Sequence, residues 1–179
     1  MTAAAITALS YQDAQARLPE LAELLHACVQ DGASISFVLP FSVTEAEIFW
    51  TTKVFPSLRA GGTILLIAEA EADGRVAGSV QLDHDTPPNQ PHRAEVRKLL
   101  VHPDFRRRGI GKALMADLEN RAKEMGRRLL TLDTRTGDKA EPLYASMGYE
   151  TAGIIPDFCR DTVSDRLDPT TIMYKAIRA

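Results

Sequence analysis

The sequence predicts an α/β domain of three layers, a mixed central sheet with helices on both of its faces. Two observations carry this. Apolar runs of strand type alternate with helical patterns in the order β-α-α-β-β-β-α-β-α-β-β, and the stretch from Arg93 to Thr134 reads as strand, loop, helix, strand. With 179 residues and no repeat, linker or low-complexity block, the chain is read as one domain over 1–179.

The elements follow in order. A short strand is expected at Ile6–Leu9, then a helix from Ser10, which stands three residues before Asp13 as in a capping box. Pro19 supplies no N–H and should kink or restart that helix. Beyond it, Leu21, Leu24, Leu25 and Cys28 share one helical face. Thr44 and Glu47 form a second capping-box pattern, opening a helix that carries Ile48, Phe49 and Trp50 as core side chains and ends at Gly61-Gly62. Thr63–Glu71 and Arg75–Asp83 are β-rich runs around Asp73-Gly74, a hairpin turn. The segment His84–His92 holds three prolines and is a loop; its two histidines lack a carboxylate at ligand spacing, so no metal site is expected. Arg93–Val101 is the next strand, broken by Pro103.

A helix over Gly109–Met125 places Ile110, Ala113, Leu114, Leu118, Ala122 and Met125 on one stripe, with Gly126 after its end. Leu129–Thr134 is a buried strand, and Asp138 is placed to cap a short helix ending before Gly148. Tyr149–Ile154 and Thr170–Ala176 complete the set as terminal strands.

Composition bounds the function. The 45% hydrophobic and 25% charged fractions are those of a globular protein. A net charge of −3 provides no general attraction to nucleic acid. Cys28 and Cys159 are too few for a disulfide scaffold, and Cys28, in its apolar helix, is read as an inert buried thiol. The opening MTAAAITALS has neither a basic n-region nor a long apolar core, and no run reaches the roughly 20 apolar residues of a membrane helix. A cytoplasmic protein with no membrane partner is expected.

Against that background one stretch stands out: Arg106-Arg107-Arg108-Gly109-Ile110-Gly111-Lys112, four cations and two glycines where the chain leaves a strand and starts a helix. First-turn N–H groups lack internal partners and the helix dipole adds positive potential, so phosphate binds there; glycine lets the backbone come close to it. Two common cradles are excluded. A P-loop requires Gly at the place of Arg106 and Ser or Thr where Ala113 stands, and the dinucleotide fingerprint from Gly109 requires Gly or Ala at Leu114.

What remains, Arg-x-x-Gly-x-Gly, resembles the pyrophosphate loop of the GNAT N-acetyltransferase superfamily. RAEVRKLLVHPDFRRRGIGKALM and LLTLDTRTGDKAEPLYASMGYE resemble that superfamily's two core motifs over about a third of the chain. GASISF, IPDFC and PTTIMYK look like its tabtoxin-resistance-type branch. The resemblance implies a GNAT-like sheet splayed at an acetyl-CoA site. It assigns the backbone of Leu99 and Val101 to the pantetheine arm, and Arg106, Arg107, Arg108, Gly109, Ile110, Gly111 and Lys112 to the pyrophosphate. Many relatives carry Asn where this chain has Gly137, so the contact such a side chain makes is not expected here.

For catalysis, the resemblance aligns Tyr144 with the tyrosine placed near the CoA sulfur. A phenol of pKa about 10 and a thiol of about 8.5 can exchange a proton at small cost. Glu95 lies four residues before Leu99, at the general-base spacing of the histone-acetylating branch. An even spacing in a strand puts Glu95, Leu99 and Val101 on one face. Asp133 ends an apolar strand, and two carboxylates at one cleft suit cation binding and proton removal.

The implied activity is acetyl-CoA-dependent N- or O-acetyl transfer to a small molecule with an amine or hydroxyl, by direct transfer in a ternary complex. A protein N-terminal or lysine acetyltransferase and a non-catalytic CoA-binding sensor are the alternatives. A homodimer is compatible with these readings.

Overall fold

A computed structural model describes residues 5–177. Its core is a seven-stranded sheet of order β1-β2-β3-β4-β5-β7-β6, antiparallel throughout except for the parallel pair β4–β5. The strands are β1 (Ala5–Ala8), β2 (Thr63–Glu69), β3 (Val76–Asp83), β4 (Arg93–Val101), β5 (Leu129–Arg135), β6 (Glu150–Arg160) and β7 (Leu167–Ala176). Helices α1 (Tyr11–Ala16), α2 (Leu18–Gln30), α3 (Val43–Phe49) and α4 (Phe55–Ala60) cover one face; α5 (Ile110–Glu124) and α6 (Ala140–Ser146) cover the other.

The alternation of side chains in each strand sorts the core into two halves. Leu66, Val80, Leu82, Ala94, Val96, Leu130 and Leu132 meet Leu114, Met115 and Leu118 of α5. Leu65, Ile67 and Leu100 meet Leu21, Leu24, Leu25 and Trp50 on the α2 face. Gly78 of β3 sits where α5 begins: a Cβ there would lie 2.7 Å from the Leu100 carbonyl oxygen and 3.1 Å from both Ile110 and Leu114. Its lack of a side chain lets the helix start press onto the sheet.

Several expected boundaries move. Ser42, not Thr44, caps α3, in a reciprocal box with Glu45. The earlier register puts Phe41 before the cap and Ala46 in the first turn, both buried in one cluster; the later one would use Val43 and Ile48, which are 42% and 54% exposed. Ile48 is therefore a surface residue, while Trp50 is fully buried and donates to the Leu21 carbonyl. A π-helical turn at Trp50–Val54 joins α3 to α4, and Gly61 closes the helix at φ 77°. On α5, Met125 is exposed and Met115 takes a core position instead. Asp138 does not cap α6: Lys139 holds the cap position without a side-chain bond, and Asp138 pairs with Arg135 at 3.4 Å.

The last two strands are longer than the expected Tyr149–Ile154 and Thr170–Ala176. β6 is an edge strand, so the missing N–H of Pro156 breaks no ladder, and the register jumps from Ile155 to Cys159 around Asp157 at φ 50°.

Candidate active site

The parallel strands β4 and β5 pair at Arg93–Leu129, Ala94–Leu130 and Glu95–Thr131, and there the pairing stops. Beyond that point β4 stays with β3 and β5 with β7, so a gap opens in the sheet. The His102 N–H donates to the Ala77 carbonyl at 2.9 Å, which fixes the phase of the β3–β4 ladder. Val101 and Leu99 consequently turn their own N–H and C=O groups away from β3, into the gap. A cleft of about 820 Å³ runs through it, lined among others by Glu95, Leu99, Val101, Gly109, Gly111, Lys112, Asp133, Leu143 and Tyr144.

The loop 106–109 delivers α5 to the mouth of this gap. Gly109 is the cap residue at φ 81°, a conformation natural to glycine, and the first intrahelical donor is the Ala113 N–H, bonded to the Gly109 carbonyl. The N–H groups of Ile110, Gly111 and Lys112 precede that bond and are left for a ligand. A Cβ on Gly111 would lie 3.2 Å from Leu143 and 3.7 Å from Val101, so a side chain there would crowd the cleft wall.

The four cations do not act alike. Arg106 is turned inward, pairing with Asp31 at the C-terminal cap of α2 and donating from Nε to the Val101 carbonyl at 3.2 Å. It is a brace between α2 and β4 as placed. Cys28 Sγ donates to the same carbonyl at 3.5 Å, and burial pushes its thiol up to about 11. The Val101 carbonyl is thus engaged, leaving its N–H and the backbone of Leu99 for the gap. Arg108 donates to the Asp104 carbonyl at 3.0 Å and lies over Phe105, which Arg75 also flanks. Arg107, at φ 62°, and Lys112 are exposed and, among the described residues, make no ion pair. They are the two loop cations available to a diphosphate.

The expected common face of Glu95, Leu99 and Val101 is not present. Lys98 occupies a bulge at φ 49°, and the β3–β4 register skips a residue there. Two-residue alternation fails across a bulge. Ala94 and Val96 point to the α5 core, as do Leu99 and Val101 beyond the bulge, whereas Leu100 points to the α2 core. Glu95 therefore faces the α2 side. Asp133, alternating with the buried Leu130 and Leu132, faces the same side. Glu95 accepts from Arg97 at 3.0 Å, and Arg97 also pairs with Asp83 at 2.7 Å. Asp133 is exposed and accepts from the Thr170 hydroxyl at 3.2 Å.

Tyr144 projects from α6 into the α5-side core, its ring 5.8 Å from that of Tyr149. Burial first, then the fields of Asp133 and Asp138, pushes its phenol well above the ordinary tyrosine range. The gap thus has a buried phenol on one side of the sheet and two carboxylates on the other. Gly137, at φ 78°, contributes its N–H to Glu141 at 2.6 Å.

Sequence reasoning missed Lys98, Asp31 and the α2–α3 loop. Lys98 Nζ donates to the Ile35 carbonyl at 2.7 Å and the Ser36 hydroxyl at 2.8 Å. The strand also carries Arg93, Glu95 and Arg97, so nothing in the sequence set Lys98 apart.

A helix start aimed into a gap between two parallel strands defines a class of cleft for a diphosphate-bearing ligand with a strand-like arm. The chain belongs to the acetyltransferase (GNAT) family, whose model matches residues 21–149. It is 34% identical over 93 residues to an uncharacterized N-acetyltransferase of Methanocaldococcus jannaschii and 36% identical over 91 residues to an acetyltransferase of Pectobacterium atrosepticum. Each match covers 50% of this chain, and they cover 41% and 61% of those relatives, so the match spans about half of their length. Among solved structures, a ribosomal-protein-alanine N-acetyltransferase from Brucella melitensis superposes with a TM-score of 0.76 at 23% identity, covering 97% of this chain and 99% of that one. A phosphinothricin acetyltransferase from Sinorhizobium meliloti, solved with acetyl-CoA, gives 0.76 at 21% identity, covering 98% and 89%. At these identities the two show the fold. Among the described residues no helix is long and apolar enough to cross a membrane.

Proposed function

We propose that the protein is an acetyl-CoA-dependent acetyltransferase that moves the acetyl group directly to an amine or hydroxyl of a small molecule, of the tabtoxin-resistance type. The observation that carries this reading is the loss of β4–β5 pairing after Glu95–Thr131 beside the unpaired N–H groups of α5.

The residues present fit acetyl-CoA. Leu99 offers strand N–H and C=O groups to an amide-bearing arm, as a sheet edge does to a peptide. The N–H groups of Ile110, Gly111 and Lys112, with the side chains of Arg107 and Lys112, suit a diphosphate. The cosubstrate supplies an activated acyl group as a thioester.

The chain's own groups then divide the proton work. An alkyl ammonium near pKa 10.4 is protonated at neutral pH, so an amine acceptor must lose a proton before it can attack. Glu95 and Asp133, on the α2 face, hold such a cation and take its proton directly or through water. In this reading the Leu99 N–H donates to the negative charge that develops on a carbonyl oxygen in the gap. Tyr144 acts on the opposite side. Because burial makes the phenol hold its proton more firmly than free tyrosine, it serves a departing thiolate as a hydrogen-bond donor, with full proton transfer costing more than solution values imply. Among the described residues no Ser-His-Asp grouping lines the cleft, and Cys28, which does line it, is buried with a raised pKa, in keeping with direct transfer.

The test pairs calorimetric titration with acetyl-CoA and a thiol-release assay over a panel of amino acids, amino sugars, polyamines and a lysine peptide. Binding with turnover on a small amine is expected. Tight binding with no thiol release on any acceptor would make the protein a CoA-binding sensor, and turnover on the peptide alone would make it a protein acetyltransferase.

A further inference from the structure

We infer that Lys98 is a positioning residue of the acceptor subsite, latching the α2–α3 loop over the α2-side mouth of the cleft. This rests on the transferase reading above and names what shapes the site's acceptor half.

A lysine at φ 49° is uncommon, because a Cβ crowds the following carbonyl in the left-handed region. Bulges of this kind re-aim a side chain, and this one sends Arg97 and Lys98 to the same, α2-facing side while Leu99 returns to the α5 face. The side chain then crosses to the loop. Its ammonium donates to the Ile35 carbonyl and the Ser36 hydroxyl, at 2.7 and 2.8 Å, and lies 5.6 and 5.8 Å from the ring centres of Phe37 and Phe49. Hydrogen bonds and cation–π attraction fix the same group from two directions. Ser36 itself has φ 80°, so the loop turns sharply where it receives the lysine.

The loop is held from its far side as well. The Thr162 hydroxyl donates to the Ala33 carbonyl at 3.0 Å, and the Leu39 N–H donates to the Thr162 carbonyl at 2.9 Å. The strap therefore runs from the β6–β7 connection, over the loop, to the bulge in β4. It carries Ser34, Ile35 and Ser36 to the cleft wall on the side that holds Glu95 and Asp133. Of the groups assigned to the cosubstrate, α5 and Tyr144 lie on the other face and the Leu99 backbone lies in the gap itself. A residue acting through this strap governs the acceptor and leaves cosubstrate binding alone.

Lys98→Met, which keeps the stem and removes the donors, is compared with Lys98→Arg, which keeps charge and donors. Three readouts are taken: amide hydrogen exchange of 33–39, acetyl-CoA Kd by calorimetry, and KM for the panel amine of highest turnover. Lys98→Met is expected to speed exchange of the loop at least tenfold and raise acceptor KM at least tenfold. Acetyl-CoA Kd should stay within twofold, and Lys98→Arg should recover most of both losses. Unchanged loop exchange and KM in Lys98→Met overturns the inference, as does a rise in acetyl-CoA Kd matching that in KM. If Lys98→Met does not fold, Ser36→Ala removes one of the two acceptors and is read against the same outcomes. Absence of turnover on every amine would refute the transferase reading, while loop exchange still judges the latch.

Discussion

The two halves of the cleft are built by different kinds of contact. The cosubstrate half, from β4 through α5 to β5 and α6, is assembled from neighbours in sequence: a strand, a glycine cap at φ 81° and the helix it opens. The acceptor half is assembled from distant segments. Lys98 reaches Ile35 across 63 positions and Thr162 reaches Ala33 across 129. The first half is dictated by local backbone chemistry, whereas the second depends on packing between segments far apart in sequence. Changes to the two halves should accordingly give separable phenotypes.

The largest expected effect is at Tyr144. Tyr144→Phe retains the ring in its place beside Tyr149 but removes the donor, so kcat should fall by about 10²- to 10⁴-fold with acetyl-CoA Kd little changed. Steady-state kinetics on the folded variant decide it; an unaltered kcat would remove Tyr144 from the chemistry.

Next comes the helix start. Gly109 has open space around a Cβ but a left-handed backbone, so Gly109→Val strains the cap, at about 1–2 kcal/mol, and re-aims the first-turn N–H groups. Acetyl-CoA Kd should rise at least a hundredfold in calorimetry while acceptor-side loop exchange stays as in the wild type. Loss of both together would deny that the halves are separable.

The carboxylates are expected to matter less individually. Glu95→Gln and Asp133→Asn should each lower kcat by roughly 10- to 100-fold if they serve one proton path, with the double variant losing less than the product of the two. An effect confined to KM would make them holders of a cationic acceptor only. Wild-type values in both singles and the double would leave a substrate that arrives deprotonated.

The smallest effect is a pH slope. Burial depresses Lys98 to about 8, against the attraction of Asp133 and with the repulsion of Arg97. Unfolded lysine keeps its proton to about pH 10.4. Between these values the unfolded chain binds more protons, so this lysine's contribution to stability rises with pH across that window. Below pH 8 both states are protonated and the burial penalty is fully present. Wild-type stability should therefore gain on that of Lys98→Met as pH rises from about 8 to 10 in urea titrations. A constant difference would show that Lys98 titrates normally.

The contrast between the halves also explains what the sequence made legible. Element order and the β4–α5–β5 unit could be placed because periodicity, glycine and proline act locally, whereas Tyr144 follows only from the family resemblance. Two local rules misled. The S/T-x-x-E pattern occurs twice near residue 44, and burial of Phe41 and Ala46 selects the earlier copy. Strand parity put Glu95 with Leu99, but the bulge at Lys98 reverses it. Nothing local marks a bulge at a lysine. The inward turn of Arg106 depends on Asp31, 75 positions away, and could not be foreseen from seven residues around the glycines.

The claim on which all this rests is that the gap between β4 and β5 receives the acetyl-CoA arm as a strand receives a partner. Amide hydrogen exchange with and without acetyl-CoA tests it residue by residue. Saturating cosubstrate should slow exchange at Leu99 and Val101, whose N–H groups face the gap, and at Gly111 and Lys112 in the first turn of α5. Unaltered exchange at Leu99 and Val101 in protein that binds acetyl-CoA tightly would contradict it.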